Sequence, residues 1–462
     1  MKRLLFATSL SFAFAWACWF QPRFFLAGRA APLPAVASSG VSAAISPLVG
    51  VAACSGPACH GHEQDRPGAR IRGNEYALWN LWDPHAQAYR SLEGPLSRDI
   101  MRHLARGGKV AEATREPRCL VCHTDSLLVA GPVQGALPGH GVGCESCHGP
   151  AERWLDAHTE KFPSALKKWE KLEPLGMKNL GRPRILAEVC AGCHVGAPEQ
   201  DGRPAQEVTH DLLAAGHPRL NFELTVYLAH LPPHWHVART NEEHGSDFEA
   251  RAWAMGQVIT ARASLKLNAY QKRRSSQWPE FAALDCEACH TPIPAAPHTS
   301  RPGLPLSRWP VAMLAEIADQ VSAPVAGTEA ALRSERLRDL FRARLSKEDE
   351  LVAQLNGWAT ALEGWKCDAG KAQLLMRKIC GNASLPSVNW EEAEQGYLAL
   401  SALEQVWQTR GAVEQHERIQ KHLFDLAEEL ALPSGFSGRT EVSANRRSLL
   451  VKHLNSILRE TK

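Results

Sequence analysis

The feature that most constrains this chain is a short cysteine–histidine motif that recurs through its first 300 residues. Four segments have the spacing C-x-x-C-H, namely Cys119–His123, Cys144–His148, Cys190–His194 and Cys286–His290. A further segment, Cys54–His60, has four residues between its cysteines and keeps the histidine directly after the second one. With 13 cysteines and 20 histidines in the chain, only about 0.02 C-x-x-C-H matches are expected by chance. The repetition therefore indicates one kind of site built five times.

The spacing C-x-x-C-H is typical of covalent haem attachment. The two thiols form thioethers with one edge of the haem, and the histidine binds the iron as its proximal ligand. Paired zinc knuckles need no histidine after each cysteine pair, and a thioredoxin-like dithiol occurs once, in a βαβ context. We therefore predict five covalently attached haem c groups, and number their motifs first to fifth in chain order. The predicted attachment residues are Cys54, Cys59, Cys119, Cys122, Cys144, Cys147, Cys190, Cys193, Cys286 and Cys289, and the predicted proximal ligands are His60, His123, His148, His194 and His290.

The N-terminal segment is typical of an exported protein. A positively charged start, Met1-Lys2-Arg3, precedes an apolar stretch from Leu4 to Phe20, which is the arrangement of a secretory signal peptide. Export is also expected if the haems are attached outside the cytoplasm. The apolar stretch is at the lower limit for spanning a bilayer, and residues 21–23 make a poor cleavage site. We expect a periplasmic or otherwise exported protein, with an uncleaved N-terminal membrane anchor as the alternative.

Composition divides the chain into four successive parts. Residues 1–30 are the signal or anchor, and residues 31–50, rich in alanine, proline, serine and glycine, are a linker. All five motifs lie in residues 51–300, at uneven intervals. Helix-like segments separate the motifs, and no convincing alternating strand pattern is present; the segments are 83–92, 164–171, 209–231 and 247–272. We predict a mainly α fold in which short helices and loops surround packed haems.

Residues 305–462 contain no Cys-His dipeptide and show helical periodicity. Apolar side chains recur at intervals of three and four residues, which predicts amphipathic helices packed into a C-terminal bundle. The stripes are Val311, Leu314, Ile317, Val321; Leu351, Leu355, Trp358, Leu362, Trp365; Tyr397, Leu400, Leu403, Trp407; and Leu423, Leu426, Leu430, then Leu450, Leu454, Ile457. We expect their aromatic residues to be core. Cys367 and Cys380 either form a disulfide in an oxidising compartment or stay as free buried thiols.

The charge of the chain argues against nucleic acid as a partner. The formal net charge is +3, and about ten haem propionates would bring it to about −7. No basic patch dominates the sequence. We therefore expect redox proteins that donate or accept electrons as partners, and no nucleic acid.

Gly141–Pro150, which contains the third motif, resembles the central haem motif of the cytochrome c-554 family of multihaem cytochromes. In that family a histidine follows ten residues after the motif histidine, and His158 occupies this place. The family also has an Ala/Pro-His-Ala-x-Ala segment after its first motif, which Asp83–Tyr89 matches at His85. The resemblance implies that His85 and His158 are distal ligands that reach across to neighbouring haems.

Thr209–Glu223 resembles a segment of larger bacterial relatives, and on that ground His210 and His217 are further expected ligands. They are seven residues apart, on one helix face if the helix continues, although Pro218 can interrupt it. The longer loop of the first motif, the fifth haem and the C-terminal helices depart from the tetrahaem pattern. The resemblance therefore implies a larger pentahaem relative with an added helical domain.

Closely packed haems let electrons pass along the row, so the primary prediction is an exported electron carrier with no catalytic residues of its own. The alternative is an oxidoreductase that acts on a small nitrogen compound at one five-coordinate haem. In the family one haem can lack a distal ligand, and the motif that aligns with it here is Cys119–His123. A further hypothesis, compatible with the first, is that the helical bundle docks the cytochrome onto a redox partner or membrane complex.

Overall fold

The computed structural model describes a large part of the chain, with gaps. The described residues are 48–66, 71–129, 137–235, 245–274, 280–284, 286, 307–321, 348–381, 390–408, 413–430 and 444–461. They form sixteen α-helices and no strand, which confirms the predicted mainly α fold. The predicted signal or anchor, residues 31–47 of the linker, and Cys289 and His290 of the fifth motif lie outside the described residues.

The N-terminal half consists of short helices joined by turns. Proline occupies the first turn of three of them, where its missing N–H costs no hydrogen bond. The helices are α1 (Glu75–Trp82), α2 (Ala88–Ser91), α3 (Pro95–Ala105), α4 (Pro117–His123), α5 (Cys144–His148), α6 (Ala165–Leu172), α7 (Pro183–His194), α8 (His210–Ala215) and α9 (Leu224–His230). Ser164 caps α6 by accepting a hydrogen bond from the backbone N–H of Lys167, as its residue type favours.

The helix-like segment predicted over residues 209–231 consists of two short helices, α8 and α9, with a break between them. Helix α8 ends at Ala215 because Gly216 adopts a left-handed conformation with φ of 111°, which is a common helix terminator. Pro218 then prevents the helix from restarting at once, and α9 begins only at Leu224. His210 and His217 consequently do not share a helix face.

The longest helix of the described chain, α10 (Phe248–Arg274), has 27 residues and is buried on most of its circumference. It packs against α7 and α9 and also against two bundle helices, α12 and α14. The bundle consists of α11 (Leu314–Ala318), α12 (Glu348–Glu363), α13 (Ala369–Gly381), α14 (Trp390–Trp407), α15 (Val413–Leu430) and α16 (Ala444–Glu460). Most residues of the predicted stripes are buried in its core.

One hydrophobic core extends from Ala187 on α7 through α10 to Ile457 on α16. It includes residues on both sides of the predicted boundary at residues 300–305, so α10 joins the two parts by packing. The division into a haem domain and a separate bundle stays a prediction. Before residue 180 the apolar core consists of three small clusters, and Cys144 and Cys119 pack against two of them.

The structure decides between the two alternatives for the cysteines of the bundle. Cys367 and Cys380 are both free and buried, and burial raises the pKa of each thiol to about 12.

Over the residues that the structure describes, no helix combines the length and the apolar character needed to cross a bilayer.

Candidate functional site

Three of the five motifs form the end of a helix. Helices α4, α5 and α7 end at His123, His148 and His194, the last residues of the second, third and fourth motifs. Cysteines three residues apart on a helix lie on the same face, so both thiols of each motif point to one side. The histidine comes directly after them, where the helix stops. This local geometry is what attachment of a haem edge and its proximal ligand requires.

In the first motif a compact turn takes the place of the helix. The backbone N–H of His60 donates to the carbonyl of Cys54 at 3.2 Å, and that of Cys59 donates to Gly56 at 2.9 Å. Gly61 passes so close that a Cβ there would lie 1.8 Å from the carbonyl oxygen of Ser55. The two extra residues of the loop are thus folded back, and His60 still follows Cys59 directly.

Three motif histidines each face a histidine from a distant part of the chain. The ring centroids of His60 and His158 are 6.3 Å apart and the ring planes are nearly parallel, at 15°. Two further pairs are perpendicular, His85 with His194 at 6.0 Å and His148 with His234 at 6.3 Å. A metal ion held between two imidazoles, with metal–nitrogen bonds of about 2.0–2.1 Å, separates the ring centres by roughly 6.4 Å. The three pairs therefore fit haem iron bound from both sides.

Hydrogen bonds orient several of these rings through Nδ1. The Nδ1 atom of His85 donates to Asp83 Oδ1 at 2.8 Å, and that of His60 donates to Glu75 Oε2 at 3.1 Å. His158 donates to the carbonyl of Leu155. Carboxylate and carbonyl oxygens only accept, so the proton is on Nδ1 and the lone pair of Nε2 is available. Metal-binding histidines are held in this way, with the second ring nitrogen bonded to an acceptor.

The pKa values of these histidines depend on whether burial or a carboxylate neighbour dominates. Burial lowers the pKa of His148 and of His194 to about 4, so both are neutral at pH 7, the form that binds metal. The hydrogen bond to Glu75 raises the pKa of His60, and the hydrogen bond to Asp83 raises that of His85. The carboxylates thus make these two imidazoles more basic ligands.

The motifs themselves lie next to one another in pairs. The thiol of Cys54 in the first motif contacts Cys144 in the third, and the thiol of Cys122 in the second contacts Cys193 in the fourth. Motifs 90 and 71 residues apart along the chain, counted between these cysteines, therefore place their attachment points side by side. Haem groups attached there would be neighbours.

A buried carboxyl group inside the third motif connects that motif to the backbone before the first motif. Glu145 is only 4% exposed and accepts hydrogen bonds from the backbone N–H groups of Val49, Gly50 and Ala151 at 2.7–3.1 Å. Asp125, which follows the second motif, accepts from the N–H of Gly143 at 3.0 Å. Nothing in the sequence marked either residue, because an acidic residue within or just after a motif carries no signal of what it anchors.

The second motif differs from the other three that the structure describes in full. The Nδ1 atom of His123 lies 2.9 Å from the carbonyl of Ala88, but no ring contact joins His123 to another imidazole among the described residues. His217 lies near His123. Burial lowers the pKa of His217, and the charge on His123 contributes a smaller part of this lowering. The Nδ1 atom of His217 donates to the carbonyl of Pro218 at 2.8 Å.

Residues around the fifth motif are described only in part. His210 begins α8, donates its backbone N–H to Glu280 at 2.8 Å and packs its ring against Phe281. His210 therefore lies beside the segment that leads to Cys286. The Sγ atom of Cys286 is 2.8 Å from the guanidinium of Arg219.

His234 faces His148 of the third motif, although nothing in Pro233-His234-Trp235 marked it in the sequence.

Comparisons with known proteins agree with this geometry in the N-terminal half. Residues 53–149, which include the first three motifs, match the family model described as cytochrome c554 and c-prime. Cytochrome c-554 of Nitrosomonas europaea is 27% identical over 114 residues, which cover 24% of this chain and 48% of that protein. The chain thus matches about half the length of this curated relative. No solved structure matches the chain.

The family implies covalently bound haem c, which is the group that the paired thiols and imidazoles fit. Over residues 53–149 this chain is thus similar to the cytochrome c-554 family.

Proposed function

We propose that this protein is an exported cytochrome that transfers electrons between redox partners through five covalently bound haems. One observation supports the proposal most strongly. Three motif histidines each face a histidine from a distant segment, with ring centroids 6.0–6.3 Å apart. A haem iron changes by one electron between its ferric and ferrous states. The task of the chain is then to hold each iron in one geometry and to place the haems close together.

The proposed axial pairs are His60 with His158, His194 with His85, and His148 with His234. Each pair joins a motif histidine to a residue at least 86 positions away, so the haems would cross-link the folded chain. Residues 144–158 would belong to two haems, because His148 and His158 face different partners. Iron held between His60 and His158, whose rings are both fixed through Nδ1, would have little freedom to rearrange on reduction. Histidine in place of methionine also favours a lower potential.

The contacts between thiols of different motifs support a short path for electrons. Cys54 contacts Cys144, and Cys122 contacts Cys193, so the attachment edges of the haems would lie side by side. No side chain is needed to bind a substrate in such a protein. Redox proteins that meet the outer haems are the expected partners, and the apolar N-terminal stretch supports export.

Counting the haems tests the premise directly. Mass spectrometry of the mature protein is expected to show five haem additions and a chain that begins after the apolar stretch of Leu4 to Phe20. The double variant Cys286→Ala/Cys289→Ala is expected to carry four haems and to keep the other attachment sites. Four haems in the parent protein would contradict the pentahaem proposal, and the site of Cys54–His60, with its longer loop, would be examined first.

Asp83 should influence the potential of one haem through His85. In the variant Asp83→Asn the hydrogen bond to Nδ1 can persist, but the negative charge that makes the imidazole more basic is lost. We expect the midpoint potential of one haem to rise by roughly 40 mV, which corresponds to about 1 kcal/mol for a one-electron couple. Spectroelectrochemical titration measures this shift. Asp99→Asn, which removes a carboxylate paired with Arg102 on α3, is the control and should leave all potentials unchanged.

A second candidate function is oxidoreductase activity on a small nitrogen compound at one five-coordinate haem. The observation that favours it is His123, which no imidazole ring contacts among the described residues. EPR of the oxidised protein is expected to show a high-spin signal that disappears when nitric oxide binds. If every haem is low-spin and insensitive to nitric oxide, the protein is an electron carrier alone.

A further inference from the structure

Two helices of the bundle bring two imidazoles and a carboxylate together, outside the five cysteine–histidine motifs. His422 and Asp425 are three residues apart on α15, so they lie on the same face of that helix. His453 lies on α16, which packs against α15. One ligand atom from each of the three residues falls within 4.8 Å of the others.

The distances between these atoms are those of ligands around one ion. The Nδ1 atoms of His422 and His453 are 3.3 Å apart, and Nδ1 of His453 is 3.6 Å from Oδ2 of Asp425. Around a tetrahedral ion with metal–nitrogen bonds of about 2.0–2.1 Å, two ligand atoms are separated by roughly 3.3–3.4 Å. A direct hydrogen bond uses only one of the two imidazole lone pairs, whereas an ion would use both together with the carboxylate.

The surroundings of the cluster suit a cation on one side and water on the other. His453 is 9% exposed, while His422 and Asp425 are half-buried, so the cluster has a wall within the bundle and an opening to solvent.

We propose that His422, Asp425 and His453 form a binding site for a divalent transition-metal ion such as Zn²⁺. Two imidazoles and one carboxylate leave the fourth position of a tetrahedral ion open to water. Nitrogen ligands select such ions over Mg²⁺ and Ca²⁺, which prefer oxygen ligands. The ion would link α15 to α16, so the bundle would contain a metal centre separate from the haem iron.

The test uses the full, haem-loaded chain, so that the motif cysteines are already occupied. After treatment with a chelator, dialysis against Zn²⁺ is expected to leave one zinc per chain, and dialysis against Mg²⁺ no bound ion. Zinc-edge X-ray absorption is specific for that element in the presence of haem iron, and is expected to show nitrogen and oxygen ligands that include two imidazoles.

Variants assign the zinc to this cluster. Altering a residue that only supports a ligand costs about 10–100-fold in metal affinity, so Asp425→Asn is expected to weaken zinc binding at least about tenfold. His422→Gln is expected to weaken it further, and because His422 is only half-buried the change costs less packing than one at buried His453 would. Glu428→Gln, an exposed acidic residue on the same helix, is the matched control and should bind zinc as the parent does.

Two outcomes would overturn the proposal. One is unchanged zinc affinity in both Asp425→Asn and His422→Gln, which would place the ion elsewhere. The other is sulfur in the zinc coordination shell, which would assign the ion to cysteines such as Cys367 or Cys380.

Discussion

The variant His158→Gly is expected to add a high-spin signal to the EPR spectrum of the oxidised protein, beyond any that the parent shows. His158 faces His60 with nearly parallel ring planes and centroids 6.3 Å apart, so glycine would leave one axial position of the iron proposed at the first motif without a nitrogen ligand. The same change should raise the midpoint potential of one haem by on the order of 0.1 V, because axial ligands set haem potentials over a range of about 0.8 V.

Two controls separate loss of a ligand from loss of structure. Added imidazole should enter the space left by the side chain and restore the low-spin signal. His62→Gly removes an exposed histidine whose Nδ1 bonds only to the neighbouring Gln64, and should leave the spectrum unchanged. A low-spin His158→Gly protein with parental potentials would show that His158 does not bind the iron of the first motif.

The variant Glu145→Ala is expected to be the most destabilising single substitution in the haem region. Its carboxyl oxygens accept hydrogen bonds from three backbone N–H groups, and alanine leaves these donors buried without acceptors. Each buried group without a partner costs about 1–3 kcal/mol, so the loss should reach roughly 3–5 kcal/mol. The affected segments are residues 49–50 before the first motif and Ala151 after the third. The first and third motifs would therefore lose their attachment to each other.

Denaturant titration followed by the Soret absorption and by far-ultraviolet circular dichroism measures this loss. Glu145→Gln keeps one acceptor oxygen and should lie between the parent and the alanine variant. Glu152→Ala changes an exposed acidic residue seven positions further along, and surface substitutions of this kind usually stay within about 0.5 kcal/mol. If Glu145→Ala unfolds at the parental midpoint, the hydrogen bonds of Glu145 do not hold the motifs together.

The helical periodicity of the C-terminal part predicted most of the bundle, because the apolar stripe of a helix consists of residues three and four positions apart in the sequence. Helix α13 was not predicted, although Leu375, Met376 and Ile379 are buried in it. The break after Ala215 was identified only as a risk at Pro218, whereas the left-handed Gly216 ends the helix in the structure. Packing likewise decided that α10 joins the haem region to the bundle through one core.

The sequence by itself predicted where haems would attach, because two thiols and a proximal histidine act within five to seven consecutive residues. It also predicted the mainly α fold, which the structure confirms, and a resemblance to the cytochrome c-554 family, which the comparisons find over residues 53–149. Only the tertiary structure decided which histidine faces which motif. A distal ligand is chosen by distance in space, so His234 carried no mark in its own segment, and the partners proposed for His158 and His85 emerged from the folded chain. The three N–H groups that bond to Glu145 became neighbours for the same reason, when segments 95 residues apart met.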